Sequence, residues 1–287
     1  MGEGKDTGDG KDAGDGGLAV VARDFGLEGP RGWAFRGIGV DAPPGALIAI
    51  EGPSGSGRTS LLLALTGRMK PTEGTAVVGG LDLPKRMAAV RRVSALAHVP
   101  GVTDLDPALT VGEHLHERAL LQRRFTGSVR TLLRPRRERL AEQRLRVDRA
   151  LTAAGLDRAA LPKGSRTAVR DLERLEALRL SLALALIGRP RLLGVDDTDL
   201  KLSDAERAEV WSLLGSLAAA GTTVLAVCSE APEGAVVVST GAAPGGAPAD
   251  TTTEATPENT GDEDTESEDS DDEAKEAADA LAETGRS

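Results

Sequence analysis

The chain has 287 residues and a formal net charge of −10, enough chain for one large or two small domains with a substantial core. Its single cysteine, Cys228, excludes an internal disulfide and is typical of a reducing compartment. No apolar run approaches the roughly 20 residues that a helix needs to cross a bilayer, and the N-terminal "MGEGKDTGDGKDAGDGG" lacks the apolar core of a secretory signal. We therefore expect any membrane role to come through a partner.

The charge is unevenly distributed along the chain. Residues 250–287 contain 15 acidic and two basic side chains, a net charge of −13, and residues 1–17 carry −3, which leaves +6 for residues 18–249. The two ends are of low complexity and cannot bury enough apolar surface to offset their ordering entropy. We predict disordered ends at 1–17 and 241–287 around a folded domain at 18–240. The acidic end is either an interaction arm or a solubilising tail, and its composition favours the second.

Strand-like and helix-like segments alternate between these ends. Short apolar runs bounded by glycine or charged residues predict strands at 46–51, 74–83, 93–101, 191–197 and 222–230. Leucines and alanines at helical spacing, with capping and stop signals, predict helices at 58–67, 108–123, 136–155, 172–188 and 203–221. This alternation is typical of an α/β fold with a mostly parallel sheet flanked by helices.

The first predicted strand and the first predicted helix are joined by "GPSGSGRTS" at 52–60. Glycines at this spacing let backbone N–H groups surround phosphates, and the following helix N-terminus adds a favourable dipole. An ordinary Gly/Ser-rich turn is the alternative, but strand, loop and helix all agree with a phosphate-binding loop. We predict that nucleotide contacts come from Gly52, Pro53, Ser54, Gly55, Ser56, Gly57, Arg58, Thr59 and Ser60, with the Thr59 hydroxyl also on Mg²⁺.

Arg58 stands where this motif has lysine. It keeps the positive charge, but a guanidinium is larger and planar, whereas lysine presents a compact ammonium. Backbone donors can still hold a nucleotide. Transition-state positioning is more sensitive, because a shift of about 1 Å costs on the order of 100-fold in rate.

Four segments in register resemble the ATP-binding cassette (ABC) ATPase domain, the nucleotide-binding half of ABC transporters. They are "VDAPPGALIAIEGPSGSGRTSLLLALTGRMKPTEGTAVVGG" (40–80), "ALTVGEHL" (108–115), "IGRPRLLGVDDTDLKLSDAER" (187–207) and "AAAGTTVLAVCSE" (218–230). The resemblance covers roughly residues 18–240. It implies a P-loop NTPase fold with a mostly parallel sheet core, an antiparallel β subdomain and a helical subdomain at roughly 102–186, and it implies ATP and Mg²⁺ as cofactors.

The resemblance also assigns the catalytic positions. Asp196 matches the Walker B aspartate, which orients Mg²⁺ together with Thr59. Asp197 falls where the family has its catalytic glutamate, so a carboxylate is kept on a side chain one methylene shorter. These two residues are the catalytic candidates of an ABC-type ATPase.

Other family positions are altered. Gly101 replaces the Q-loop glutamine, "LERLE" at 172–176 replaces Leu-Ser-Gly-Gly-Gln, Ser229 replaces the switch histidine, and the D-loop aspartate falls near Ser203. These positions orient water or join two subunits around the γ-phosphate, and each lost donor costs several kcal/mol of transition-state stabilisation. The resemblance therefore implies slow or absent ATP hydrolysis.

Three functions are consistent with this pattern. The first is the ATP-binding subunit of a bacterial ABC transporter, in the cytoplasm at the inner face of the membrane, working with a separate permease and as a homodimer or heterodimer. The second is a pseudo-ATPase that scaffolds or regulates a membrane assembly, and the third is a soluble ABC-type factor. Arginine outnumbers lysine 28 to 7, a bias typical of high-GC bacterial genomes. Nucleic-acid binding is not expected, because aromatic residues are scarce and no recognition motif is present.

No tyrosine is available to stack on adenine, which leaves Phe25 or Trp33. We expect Trp211 to be a core residue and Cys228 a buried, inert thiol. We expect the three histidines to be ordinary surface residues rather than metal ligands, namely His98, His114 and His116. The eleven arginines of residues 118–149 form either a solvated helical face or a docking surface for an acidic partner or anionic lipid.

Overall fold

The computed structural model describes residues 16–126, 135–199 and 201–241. The predicted disordered ends therefore lie outside the described residues, apart from Gly16, Gly17 and Gly241. In chain order the strands and helices are β1 (Val20–Gly29), β2 (Gly32–Ala42), β3 (Leu47–Glu51), α1 (Arg58–Leu65), β4 (Glu73–Val78), β5 (Leu81–Leu83), α2 (Met87–Val93), β6 (Ser94–Ala97), α3 (Val111–Thr126), α4 (Arg136–Ala153), α5 (Arg174–Leu186), β7 (Leu192–Val195), α6 (Asp204–Ala219), β8 (Thr223–Val227) and β9 (Val236–Ser239).

A five-stranded parallel sheet forms the centre, in the order β6-β7-β8-β3-β9. Because successive side chains point to opposite faces of a strand, the sheet has two apolar faces. Ile48, Ile50 and Leu225 contribute to one core with the leucines of α1, and Leu193 and Val224 contribute to a second core with α5 and α6. Helices thus cover both faces, as an all-parallel sheet requires.

A second sheet is antiparallel, with the order β2-β1-β4-β5. Its buried residues, among them Phe25 and Phe35, join the core that contains α1. Helices α3 and α4 lie in the connection between β6 and β7, and α4 packs against α5. The predicted combination of a parallel core, an antiparallel sheet and a helical region is confirmed.

The predicted helices and strands are confirmed with shifted ends. The helix predicted at 172–188 begins at Arg174, because Glu173 is its N-cap. The helix predicted at 108–123 begins at Val111. Thr110 caps it, because the hydroxyl of Thr110 accepts from the N–H of Glu113 and donates to the carboxylate of Glu113. Strands β1, β2 and β9 were not predicted as separate elements from the sequence.

The topology places one set of chain segments at one edge of the sheet. The carboxyl ends of parallel strands meet at the same edge, which is where ligands bind in open α/β sheets. The loop at 52–57 follows β3, Asp196 follows β7, Cys228 follows β8 and His98 follows β6. The residues predicted from the sequence to contact nucleotide therefore lie at this edge.

Candidate nucleotide-binding site

The loop at 52–57 connects β3 directly to α1, as the sequence predicts. Gly52, Gly55 and Gly57 have φ angles of 148°, 81° and 85°, in the region that side chains disfavour. Gly57 is the N-cap of α1, and a Cβ added there would lie 1.9 Å from the carbonyl oxygen of Ala34. Only glycine fits this position, so the tight packing of the loop against β2 is built into the sequence.

Thr240, immediately after β9, holds the loop from the other side. Its hydroxyl lies 2.6 Å from the hydroxyl of Ser56, and its backbone N–H donates to the carbonyl of Glu51 at 2.9 Å. Sequence reasoning missed Thr240, because no motif marks it and strand β9, which delivers it, was not predicted.

Thr59 and Asp196, which come from opposite halves of the chain, meet below this loop. The Thr59 hydroxyl donates to Oδ2 of Asp196 at 2.6 Å, and the N–H of Asp197 donates to Oδ1 at 2.9 Å. Asp196 is 1% exposed. Burial raises its pKa above the ordinary value, while these two hydrogen bonds and the charge of Arg58 oppose the rise. Because burial disfavours the ionised form of Asp196, a cation beside it would stabilise that form.

The donor chemistry of this pair fits Mg²⁺. Hydroxyl and carboxylate oxygens are the hard ligands that Mg²⁺ prefers, and the ion is usually held by one or two protein groups plus phosphate oxygens and water. Thr59 and Asp196 supply two such oxygens beside the glycine loop. Within the described residues no group of three or more His, Cys, Asp or Glu side chains is arranged to hold a metal by itself, so the phosphates of a nucleotide would have to complete the coordination.

Asp197 follows in a left-handed conformation, with φ of 47° and the side chain half-buried. The next residue, Thr198, is fully buried and donates both its N–H and its hydroxyl to the carbonyl of Val227, at 3.2 and 2.8 Å. The turn after β7 is thereby fixed to the end of β8. This places the carboxylate of Asp197 at the edge of the sheet next to that of Asp196.

Arg58 is tied to the neighbouring strand. Its Nη1 donates to the carbonyl of Cys228 at 2.6 Å, just beyond the end of β8. Cys228 itself is fully buried, as expected, and burial raises the pKa of its thiol to about 12. The cation of the loop therefore lies beside the segment that leads to Ser229.

His98 is part of the same edge, which the sequence did not reveal. It is half-buried rather than a surface residue, it has a φ of 51°, and its N–H donates to the Ser181 hydroxyl at 2.7 Å. Burial and the charge of Arg174 lower its pKa, against the opposing charges of Asp197, Asp196 and Asp104. The only available signal was its position at the carboxyl end of a predicted strand. Its surroundings therefore favour the neutral form of the imidazole.

Comparison with known proteins now identifies the fold and its family. The family model described as ABC transporter matches residues 35–199, more than half of the chain. The chain belongs to the ABC transporter family. The Nod factor export ATP-binding protein I of Cupriavidus metallidurans is 33% identical over 189 residues, which are 66% of this chain and 55% of that protein. The Arabidopsis thaliana ABC transporter A family member 10 is 30% identical over 181 residues, 63% of this chain. The chain spans 18% of the length of the Arabidopsis protein.

Solved structures show the same fold at lower identity. CbiO1 from Clostridium perfringens, described as part of the ABC transporter complex cbiONQ, matches with a TM-score of 0.59 at 20% identity, over 76% of this chain and 80% of that one. The dimeric ATP-binding cassette MJ0796 bound to ADP and Pi matches with a TM-score of 0.57 at 22% identity, over 74% and 88% of the two chains. The chain thus has the P-loop fold of an ABC ATPase domain, and membership of the family implies nucleotide binding.

The segment 172–176, which the resemblance aligned with the ABC signature, caps a helix in the structure. Glu173 is the N-cap of α5, its side chain accepts from the backbone of Glu176, and the Glu176 carboxylate accepts from the N–H of Glu173 at 2.9 Å. The two glutamates therefore satisfy helix N–H groups, a local role that explains their presence. Arg174, which the resemblance aligned with the first signature glycine, begins the helix with a long cationic side chain.

The three other positions that the resemblance predicts to be altered have local partners. The N–H of Ser229 donates to the Asp199 carboxylate at 2.6 Å, and the Ser203 hydroxyl caps α6 in a capping box with Glu206. The N–H of Gly101 donates to the carboxylate of Asp104 at 2.9 Å. Each of the three residues therefore takes part in a local hydrogen bond within its own segment or with a neighbouring one.

The two candidates for adenine stacking, Phe25 and Trp33, differ in how far their side chains are exposed. Phe25 is fully buried and packs on Phe35, with ring centroids 5.7 Å apart, so it cannot contact a nucleotide. Trp33 is 41% exposed, next to Ala34 whose carbonyl touches the loop, and the Arg36 guanidinium lies 4.5 Å from its ring centroid. Trp33 remains the candidate.

Trp211 is half-buried and packs against the second core, close to its expected role. Arg144 and Arg149 of α4 are exposed, whereas Arg118 is half-buried, and Arg130 and Arg134 lie outside the described residues. In the described part of the chain, no helix is long and apolar enough to cross a membrane.

Proposed function

We propose that this protein is the ATP-binding subunit of a bacterial ABC transporter that holds MgATP and hydrolyses it slowly or not at all. The observation that carries nucleotide binding is the convergence of the glycine loop, Thr59 and Asp196 at one sheet edge. The Thr59 hydroxyl donates a hydrogen bond to the Asp196 carboxylate at 2.6 Å, although the two residues are 137 residues apart in sequence. The loop glycines have positive φ angles, which supports the proposal because such conformations let backbone N–H groups turn towards a phosphate.

Slow turnover is supported by the positions that act on the γ-phosphate. Arg58 donates to the carbonyl of Cys228, Ser229 offers no imidazole, and Asp197 is a shorter carboxylate than the family's glutamate. In an ABC dimer the signature of one subunit meets the nucleotide of the other. Here Arg174 and the two capping glutamates occupy that position, where a carboxylate would repel phosphate. Preorganised electrostatics usually supplies the largest catalytic contribution, so its loss favours binding without rapid chemistry.

The proposed partners follow from family membership. A separate permease would supply the membrane-spanning part and the transported substrate, and the subunit would act at the inner face of the cell membrane through it. Dimerisation with itself or with another ABC ATPase is proposed, since a matched relative's structure is described as dimeric. Bacterial origin is supported by the arginine-rich composition. A pseudo-ATPase that only regulates a membrane assembly is the second candidate, favoured by the Arg58 contact with Cys228.

Calorimetric titration of MgATP into the full chain tests the proposal. A heat signal that returns to the baseline after each injection indicates binding without turnover. The proposal expects this result during the few minutes between injections. Sustained heat that scales with enzyme concentration indicates an active ATPase and contradicts slow hydrolysis. No binding heat at two temperatures would overturn nucleotide binding altogether.

Two variants act as controls for the site. Asp196→Asn keeps the size of the side chain but removes the charge that would hold Mg²⁺, so MgATP binding should weaken much more than binding of ATP without metal. Asp41→Asn changes an exposed carboxylate away from the site and should bind as the unaltered chain does. Equal weakening in both variants would mean that the effect is not local to Asp196.

A further inference from the structure

A cavity of about 990 Å³ lies between α2, α3, α5 and the loop after β6, at the upper end of the range of about 300–1,000 Å³ typical of ligand clefts. We call it the arginine pocket, because four of its lining residues are arginines from three parts of the chain. They are Arg68 after α1, Arg91 and Arg92 of α2, and Arg118 of α3. The described residues that line it include neither the glycine loop nor Asp196 and Asp197, so the pocket is separate from the candidate nucleotide site.

Two arginines of the pocket are held by backbone carbonyl groups rather than by carboxylates. Nη1 of Arg91 donates to the carbonyl of Gly67 at 2.7 Å, and Nε of Arg118 donates to the carbonyl of Leu184 at 3.1 Å. These bonds fix both side chains without neutralising their charge. Because a guanidinium carries five N–H donors, each of the two keeps donors for a ligand, and a side chain that is already fixed loses less entropy when it binds one.

Arg68 lies among the other cations of the pocket. It is half-buried, and it donates to the carbonyl of Thr66 at 2.8 Å and to the Ser94 hydroxyl at 2.9 Å, which are both neutral acceptors. Burial and the like charges of Arg91 and Arg118 lower the pKa of Arg68 to about 10. Cations from three parts of the chain are therefore close enough to repel one another, and an anion between them would offset this repulsion.

The positive charge of the pocket is not balanced by the described residues. None of the ion pairs that form within the described part of the chain includes a pocket arginine. The one described carboxylate in the lining, Asp104, accepts from the N–H of Gly101 at 2.9 Å. Four positive charges and one negative charge leave a net charge of +3, with His114 counted as neutral. Partly buried cations without counter-charges favour a negatively charged occupant.

The number of charges indicates the chemistry of this occupant. A phosphate group carries about −1.5 to −2 charges at pH 7, so two phosphate groups match the net charge of the pocket, whereas three carboxylates would be needed. The planar fork of a guanidinium also binds phosphate oxygens in pairs. We propose that the arginine pocket binds a small molecule that carries two phosphate groups. This inference does not depend on nucleotide binding or hydrolysis at the candidate nucleotide site.

Titration of inorganic pyrophosphate into the full chain without Mg²⁺, followed by nuclear magnetic resonance, tests the proposal. The amide signals of Ala88, Val102 and Thr103, which line the pocket, should shift until they saturate. Inorganic phosphate at the same ionic strength should bind there about 10-fold more weakly, because it forms fewer charge-assisted hydrogen bonds. The signals of Gly55 and Gly57 report binding at the glycine loop separately, so a failure of the pocket and a failure of the nucleotide site are distinguishable.

Matched charge variants decide whether the pocket is specific. Arg91→Gln with Arg92→Gln removes two exposed pocket cations, and the pyrophosphate affinity measured at the pocket signals should fall by about 10-fold or more. Arg144→Gln with Arg149→Gln removes two exposed cations of α4, outside the pocket, and should leave this affinity unchanged. Arg92→Gln alone keeps the bond from Arg91 to Gly67, so it serves if the first variant does not fold, and it should weaken binding about 3-fold.

Three results would overturn the proposal. One is the absence of shifts at the pocket signals, which would leave the pocket to a partner protein with acidic side chains. Another is an affinity of the pocket for phosphate or citrate equal to its affinity for pyrophosphate, because the pocket would then not select two phosphate groups. The third is equal weakening in both pairs of arginine variants, which would mean unspecific attraction of anions to the basic surface.

Discussion

The Thr59 hydroxyl donates to the carboxylate of Asp196 across 2.6 Å, and this bond joins the first turn of α1 to the end of β7. It satisfies a carboxylate that is 1% exposed, and it brings together the two oxygen atoms that we propose as ligands of Mg²⁺. The same contact therefore contributes to the stability of the domain and, in the proposed function, places both oxygens for a metal–nucleotide complex.

Thr59→Val tests both roles of this bond. Valine has a similar shape but no hydroxyl, so Asp196 loses a donor while remaining buried, and unfolding should become easier by about 1–3 kcal/mol. MgATP affinity should fall as well. Thermal unfolding and calorimetry measure the two effects, and Thr59→Ser, which keeps the hydroxyl, should restore most of each. Equal behaviour of the valine and serine variants would show that the hydroxyl is not used.

Arg58→Lys alone should not restore rapid ATP hydrolysis. The change provides the loop with the family's lysine, but the signature at 172–176, the serine at 229 and the aspartate at 197 are unaltered. Steady-state phosphate release measures the result, with a variant that also carries Asp197→Glu and Ser229→His as the comparison. A large gain in turnover from the single substitution would contradict the view that several positions limit the chemistry together.

Local sequence patterns were sufficient to predict the loop, helix α1, strand β7 and the two aspartates, because a strand followed by glycines and a helix is encoded within about 20 residues. Contacts between distant segments were not predictable in this way. Ser56 and Thr240 are 184 residues apart, and His98 and Ser181 are 83 apart. Strands β1 and β2 escaped prediction because register shifts between residues 22 and 28 of β1 interrupt the period-two alternation that would mark them.

The glycines at 55 and 57 provide a matched pair for testing the loop. Both have left-handed φ angles, 81° and 85°, but a Cβ at 55 meets nothing within 4 Å, whereas one at 57 would lie 1.9 Å from the carbonyl oxygen of Ala34. Gly55→Ala should cost about 1–2 kcal/mol of stability from backbone strain alone. Gly57→Ala should cost clearly more, because β2 must also move. Denaturant unfolding measures both, and equal costs would show that the contact with Ala34 is easily relieved.

The raised pKa of Asp196 makes a prediction about pH. Because burial raises the pKa in the folded state above 3.8, the folded protein binds this proton more tightly than the unfolded chain does. The favourable contribution of the protonated form is complete below that value and is lost as pH rises through the folded pKa. Asp196→Asn should therefore be more stable than the unaltered chain at pH 7, with a difference that shrinks towards pH 4. Thermal unfolding across this range measures it, and a difference that does not change with pH would contradict the shift.

Trp33 should report nucleotide binding through its fluorescence. The indole is 41% exposed, and the Arg36 guanidinium lies 4.5 Å from its ring centroid. Contact of an adenine ring with the exposed part of the indole would exclude water from it. Trp211→Phe isolates the Trp33 signal, since these are the two tryptophans of the chain. In the Trp211→Phe variant, MgATP should change the emission of Trp33, and the dissociation constant from this change should equal the calorimetric one. Trp33→Leu should weaken the binding of ATP more than the binding of inorganic triphosphate. If ATP and inorganic triphosphate lose affinity equally, Trp33 stabilises the glycine loop and does not contact the adenine ring.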